Sequence, residues 1–162
     1  MKNKMCLYMP FLGLIISLFT FFALALPAKA EFTVGYVNYK QVESNYEYAK
    51  NAYKEVDAKY LEIQQFLMEK EKQYKNIESP INKKNFEEEV QKDFKVKNDA
   101  FTKFKMKKAQ EIETNILNAT KAVAAEKHID VVVDYSVIYT GGIDLSEDVI
   151  LYLNSNKSLK KK

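Results

Sequence analysis

More than a hundred residues separate Gly35 from Gly141, and Pro80 is the single Gly or Pro between them. Those two residue types are the strongest breakers of regular structure, so a stretch this poor in them predicts very long helices. Pro80 sits in Glu78-Ser79-Pro80-Ile81-Asn82, near the middle of the stretch. Ser79 can cap a new helix there, with Pro80 in its first turn, where a missing N–H removes nothing. The pattern predicts one helix running out, a tip near 79–82, and one helix running back.

The first helix carries a regular seam. Val42, Tyr46, Ala49, Tyr53, Val56, Tyr60, Ile63, Leu67, Lys70, Tyr74 and Ile77 are spaced alternately four and three apart, and only Lys70 among them is charged. That is a coiled-coil repeat, with Tyr recurring in one of its two registers. In the second helix Val90, Phe101, Ile112 and Val123 recur every eleven residues, with Phe94, Phe104, Ile116 and Ala119 beside them. An eleven-residue repeat relaxes or reverses the usual left-handed supercoil. Outside the seams, Glu55/Lys59, Glu71/Lys75, Glu88/Lys92, Asp93/Lys97 and Asp99/Lys103 stand acid before base at i,i+4. Such pairs are expected to support exposed helix.

Length decides the shape expected of this segment. A helix from Tyr39 to Glu78 spans ~60 Å at about 1.5 Å per residue. A compact chain of this size has a radius of gyration of only ~14 Å, so the hairpin must project. Two helices alone cover one stripe each, which leaves a surplus of aromatic surface for a partner. The candidate contact residues are Tyr46, Tyr53, Tyr60, Phe66, Tyr74, Phe94, Phe101 and Phe104.

The ends of the chain supply the rest. Thr33–Val37 reads as a short strand, with Asn38 capping the first helix and Gln41 completing a capping box. Ile129–Asp134 is the strongest strand signal, Val137-Ile138-Tyr139 a second run, and Gly141-Gly142 a turn. Ser146-Glu147-Asp148 opens a short helix through Leu153, with both acids at its positive end. The expected fold class is α+β, mainly α: a long antiparallel helical hairpin on a small β body. In residue terms the body strand is 31–38, the hairpin 39–128, and the further strands and C-terminal helix 129–154. A body this thin gains stability by association, so an oligomer through the body is expected.

Residues 1–30 read as a signal peptide. Lys2 and Lys4 precede an uncharged apolar run, Pro27 breaks it, and Ala28-Lys29-Ala30 is a cleavage signature, predicting export with cleavage after Ala30. Removal takes Cys6 and three lysines, leaving 22 of the 25 Lys against 22 acidic residues. A mature chain without Cys has no disulfide and no thiolate chemistry. The competing reading keeps the segment as a membrane anchor, since its apolar run nearly reaches the ~20 residues that span a bilayer.

The strand V-G-Y-V-N at 34–38, the long hairpin, A-V-A-A-E-K-H-I-D-V-V-V-D at 122–134 and I-D-L-S-E-D-V-I-L-Y-L-N at 143–154 together resemble the Skp/OmpH family of periplasmic chaperones. The resemblance implies a jellyfish-like trimer, with a β body and coiled-coil arms around a cavity. It also implies ATP-independent holding of unfolded outer-membrane proteins, so that the eight aromatic candidates become client contacts.

Catalytic chemistry is poorly provided for. His128, the only histidine, stands near Asp130, Asp134 and Ser136, but no nucleophile elbow or oxyanion loop accompanies them. No metal site or cofactor is expected, and no P-loop or EF-hand occurs. Lysines alternate with acids along both helices, so no nucleic-acid partner is expected. The basic tail at 155–162 could touch anionic lipid weakly. The alternative function is a structural coiled coil of the cell envelope, tethered by an uncleaved N-terminal segment.

Overall fold

The computed structural model describes residues 32–155, and from Thr33 onward these belong to one unit. The expected signal peptide, and the basic tail past Ser155, lie outside the described residues.

Strand β1, Val34–Val37, opens the unit. Helix α1, Tyr39–Asn45, is separated by one residue from α2, Glu47–Lys75, and α3 then runs unbroken over Pro80–Glu126. Strand β2, Val131–Asp134, strand β3, Ile143–Asp144, and helix α4, Ser146–Ser155, follow among the described residues. The sheet order is β2-β1-β3 and every pairing is parallel, with Gly35 opposite Val132 on one side and Ile143 on the other. Parallel neighbours need long crossovers. Between β1 and β2 the two long helices serve as that crossover.

Val137–Tyr139, expected to be a strand, is none. Residues Tyr135–Val137 form a 3-10 turn whose start is capped by Asp134, which accepts from Ser136 N. Tyr139 is fully exposed at 101%. The third strand instead follows Gly141 and Gly142, whose φ values of 78° and 86° allow the turn that brings Ile143 beside β1.

The starts of α1 and α4 are fastened to each other. Asn38 caps α1 by accepting from Gln41 N at 3.2 Å, as the sequence implies. The other half of the expected capping box is not made. Asn38 N donates instead to Ser146 Oγ at 2.9 Å, and Gln41 Nε2 reaches Glu147 Oε1 at 2.8 Å. Ser146 is completely buried, and its hydroxyl donates to Asp144 Oδ1 at 2.6 Å, so both its donor and its acceptor are used. Lys127 at the end of α3 pairs with Asp148 at 2.7 Å.

The core gathers Val37, Val42 and Tyr46 with Ile112, Ile116 and Val123 of α3, and Leu145, Val149 and Leu153 around α4. One predicted continuity fails within it. The seam reads as a single helix through residue 46, yet Tyr46 has φ −80° and ψ 115° and splits α1 from α2. Two contacts hold the split. Tyr46 is 1% exposed and its hydroxyl accepts from Asn115 Nδ2 at 3.2 Å. Asn154 of α4 donates to the Asn45 carbonyl and accepts from Glu47 N, each at 3.0 Å, replacing helix bonds that the break removes.

Burial then stops. Ala52 on α2 and Ile112 on α3 are the last buried residues, and nothing between 53 and 111 is buried. Contacts between the two helices pair residues in opposite order: Glu55 with Lys108, Tyr60 with Phe101, Tyr74 with Phe86. Pro80 occupies the first turn of α3, as expected. Ser79 has the extended cap conformation, but its side chain makes no cap hydrogen bond.

Candidate binding surface

The two helices meet along side chains that stay half-covered. Val56, Ile63, Phe66 and Tyr74 on α2, and Phe86, Val90, Phe94, Phe101 and Phe104 on α3, are all of intermediate exposure. The sequence repeats mark Val56, Ile63, Tyr74, Val90, Phe94, Phe101 and Phe104 among these, whereas Tyr53, Tyr60 and Leu67 of the first repeat are exposed and Phe66 and Phe86 lie outside both repeats. A lone pair of helices shields each stripe from one side only, so the rings keep open edges and faces.

Lysine side chains cover many of those faces. The Lys59 ammonium lies 5.3 Å from the Phe104 ring centroid, and Lys97 lies 5.0 Å from Phe66. Lys70 stands 5.7 Å from Phe66 and 5.3 Å from Phe86, and Lys83 stands 5.2 Å from Tyr74. Lys108 is 5.5 Å from both Tyr48 and Phe104. From Tyr48 to Tyr74 the row spans ~39 Å of helix. Each contact is worth ~0.5–1 kcal/mol at an exposed site, against ~0.3–0.5 kcal/mol for an i,i+4 ion pair. That balance explains a departure from the expected ion pairs. Glu71–Lys75 forms at 2.7 Å. Among the described residues, Glu55 pairs across with Lys108 at 2.8 Å, while Lys59 and Lys97 turn to rings.

Tyrosines on the row hold acids. Tyr53 donates to Glu43 Oε1 at 2.5 Å, and this bond, with desolvation and the carboxylate charge, pushes its phenol up to about 12. The Glu87 carboxylate beside Tyr74 raises that phenol too. Burial pushes the Tyr48 phenol up, and its hydrogen bond to Glu111 adds to the shift. The Glu55 carboxylate raises Lys108, so this ammonium stays charged across the ordinary pH range.

The eight aromatic candidates divide by depth. Tyr53 and Tyr60 are 46% and 50% exposed, and Phe66, Tyr74, Phe94, Phe101 and Phe104 are half-buried along the same stretch. Tyr46 shares a heptad register with Tyr53 and Tyr60 but lies inside the core, out of reach of any partner. Phe86 belongs to the row and escaped the list of candidates, although its place four residues before Val90 and eight before Phe94 fits the same stripe. Of the covering lysines only Lys70 falls in the four-three seam, while Lys59/Lys70 and Lys97/Lys108 stand eleven residues apart, a spacing hidden among the many other lysines of both helices. Leu61 and Met68, 54% and 55% exposed, add apolar surface on α2.

The residues near His128 are engaged structurally. His128 is exposed and has φ 54°, just past the end of α3. Asp130 accepts from Thr33 N at 2.8 Å, and the hydroxyl and amide of Ser136 both turn to Asp134. Among the described residues, no group of three or more His, Cys, Asp or Glu is placed to hold a metal ion. Among them also, no helix is long and apolar enough to cross a membrane.

A small parallel sheet carrying two long helices, with a lysine-covered aromatic row along them, defines a mainly helical α+β scaffold. The profile of the family described as outer membrane protein (OmpH-like) matches residues 33–153, and the chain belongs to that family. It is a family of periplasmic chaperones that serve outer-membrane proteins. No curated protein matches the chain in sequence.

Proposed function

We propose that this chain is an ATP-independent holdase that binds unfolded outer-membrane proteins in the periplasm and prevents their aggregation. Residues 39–128 serve as a hairpin arm, with its tip near 79–82. Residues 31–38 and 129–154 serve as the body through which three copies associate, so that three arms enclose a cavity. Residues 1–30 direct export and are removed by cleavage after Ala30, and the basic tail adds a weak contact to anionic lipid surfaces.

The observation that carries this reading is the end of burial at Ala52 and Ile112, with a continuous half-covered aromatic row beyond it. A helix pair built only for spacing has no use for so much open ring surface, whereas a client in transit exposes alternating apolar and polar residues. Tyr offers contact area with a polar tip, and Lys stems cover apolar surface while keeping charge in water. Many weak contacts in one cavity add through effective concentration, and release needs no nucleotide where a more stable destination exists. The client contacts are Tyr53, Tyr60, Phe66, Tyr74, Phe94, Phe101 and Phe104. Tyr46 supports them from the core.

The test is light scattering of a urea-unfolded outer-membrane barrel diluted with and without the protein, in the absence of nucleotide. Suppression near one trimer per client is expected, and Tyr53→Ser with Tyr60→Ser weakens it in a still-helical protein. Absence of protection at every ratio refutes the reading and leaves a structural envelope coiled coil in its place.

A further inference from the structure

We propose that Lys59, Lys70, Lys83 and Lys97 are displaceable lids over the aromatic row, and that the ligand which lifts them is an extended client segment in which acidic residues alternate with apolar ones. The inference rests on the holdase reading and specifies which segments of a client the row takes.

The arrangement of charge carries it. The chain has 22 acidic residues, many within helical reach of a lysine, yet these four lysines form no ion pair among the described residues. Their ammonium groups lie 5.0–5.7 Å from the centroids of Phe66, Phe86, Phe104 and Tyr74. Lys108 shows the contrast: it sits over two rings as well, but Glu55 already holds it at 2.8 Å. The net charge is thus a poor guide to this surface. Along the row the positive groups face ring faces, and their carboxylate-binding capacity is unspent.

A carboxylate offered by a client can take such an ammonium at a small net cost, because an exposed cation–π contact exceeds an exposed ion pair by little, and apolar burial on the uncovered ring repays the difference. As the lysine swings to the carboxylate, the ring beneath is uncovered. A neighbouring apolar side chain of the client then fills the place, adding buried area that the isolated protein lacks. Acidic and apolar residues in alternation satisfy both halves of each exchange. A segment rich in lysine leaves the lids in place and meets like charge. Each step is small and reversible, as a holdase without nucleotide requires.

The test compares two synthetic peptides of identical length that alternate Phe or Val with either Glu or Gln, titrated into the intact protein at low salt and read by fluorescence anisotropy. The Glu peptide is expected to bind about tenfold more tightly, because its carboxylates lift several lids and its apolar side chains bury the ring area beneath. Added salt should erode that preference. The combined variant Lys59→Gln, Lys70→Gln, Lys83→Gln and Lys97→Gln, checked for unchanged helicity, should lose the preference, with the Gln peptide bound at least as tightly as by the unmodified protein because the rings are no longer covered. In proton NMR of the unmodified protein, lysine methylene signals shifted upfield by the rings should move downfield on adding the Glu peptide. Equal affinities for the two peptides, or a preference that survives in the variant, overturns the lid proposal. Suppression of barrel aggregation is measured on the same samples. Suppression without peptide discrimination overturns the lids and leaves the holdase standing, and discrimination without suppression does the reverse.

Discussion

Gly35 is a point at which the body can be tested by a single methyl group. It lies in the central strand with neighbours on both sides, Val132 and Ile143. A Cβ added there would fall 2.8 Å from Leu145 Cδ1, 3.3 Å from Leu145 Cγ and 3.1 Å from Ile129 Cγ2. Leu145 has no route of retreat. Its side chain is wholly buried, its N–H donates to the Tyr36 carbonyl at 2.9 Å, and its own carbonyl accepts from Val149 N at 2.9 Å. Ile129 is 8% exposed and closes the other side. Overpacking of this kind costs ~1–3 kcal/mol, and with two buried neighbours in contact we expect Gly35→Ala to fall near ~2 kcal/mol. Leu145→Ala alone should cost ~2–5 kcal/mol through the cavity it leaves. In the double variant the new methyl group enters that cavity, so the combined loss should be smaller than the sum by about 1 kcal/mol or more. Urea unfolding followed by far-ultraviolet circular dichroism measures all four proteins. One fixed protein concentration is needed, because association would make stability depend on it. A Gly35→Ala protein as stable as its parent would refute the reasoning. Strict additivity in the cycle would show that Leu145 is not what the methyl group meets.

Three further outcomes follow from contacts described above. Asn154→Ala removes both bonds across the break at Tyr46, so stability should fall by about 1 kcal/mol, with faster amide exchange at Glu47. Tyr46→Phe leaves the part-buried Asn115 amide without its acceptor and should cost ~1 kcal/mol in the same unfolding assay, with the aromatic row unaltered. The Tyr53 phenol, raised from 10.0 to about 12 by Glu43, holds its proton more tightly in the folded state. Its stabilising contribution is therefore complete below pH 10 and lost as pH climbs through about 12. A near-ultraviolet absorbance titration should show a component near pH 12 that Glu43→Gln brings down toward the ordinary value.

What the sequence exposed was periodicity, and what it concealed was depth. The scarcity of Gly and Pro foretells α2 and α3, and the four-three and eleven-residue spacings identify the faces that meet. A repeat is blind to distance from the body, however. Tyr46, Tyr53 and Tyr60 occupy one register, yet the first is sealed in the core and the others stand open. The same blindness hides the split at residue 46, because the apolar spacing continues across it while Asn154, more than a hundred residues away, supplies the compensating bonds. Val137–Tyr139 has a strand's composition, but Asp134 and Ser136 close a local turn before any pairing can begin. Ile143-Asp144, too short to carry a strand pattern of its own, becomes a strand because the Gly-Gly turn delivers it to the open edge of β1. Local acid-base spacing likewise failed to foresee the lysine positions, since the competing rings lie on the other helix or elsewhere along the row.

The abrupt end of burial at Ala52 and Ile112 has a consequence for how such a chain can change over generations. Substitutions in the body are filtered by packing, as Gly35 and Leu145 illustrate, and few alternatives fit. Beyond the boundary no side chain is locked in a close-packed interior, so most replacements there cost little so long as helicity and the facing stripe persist. Matched insertions or deletions, one in each helix, would lengthen or shorten that region without disturbing the sheet. The fold thus joins a base in which few replacements fit to a reach whose length is free to vary.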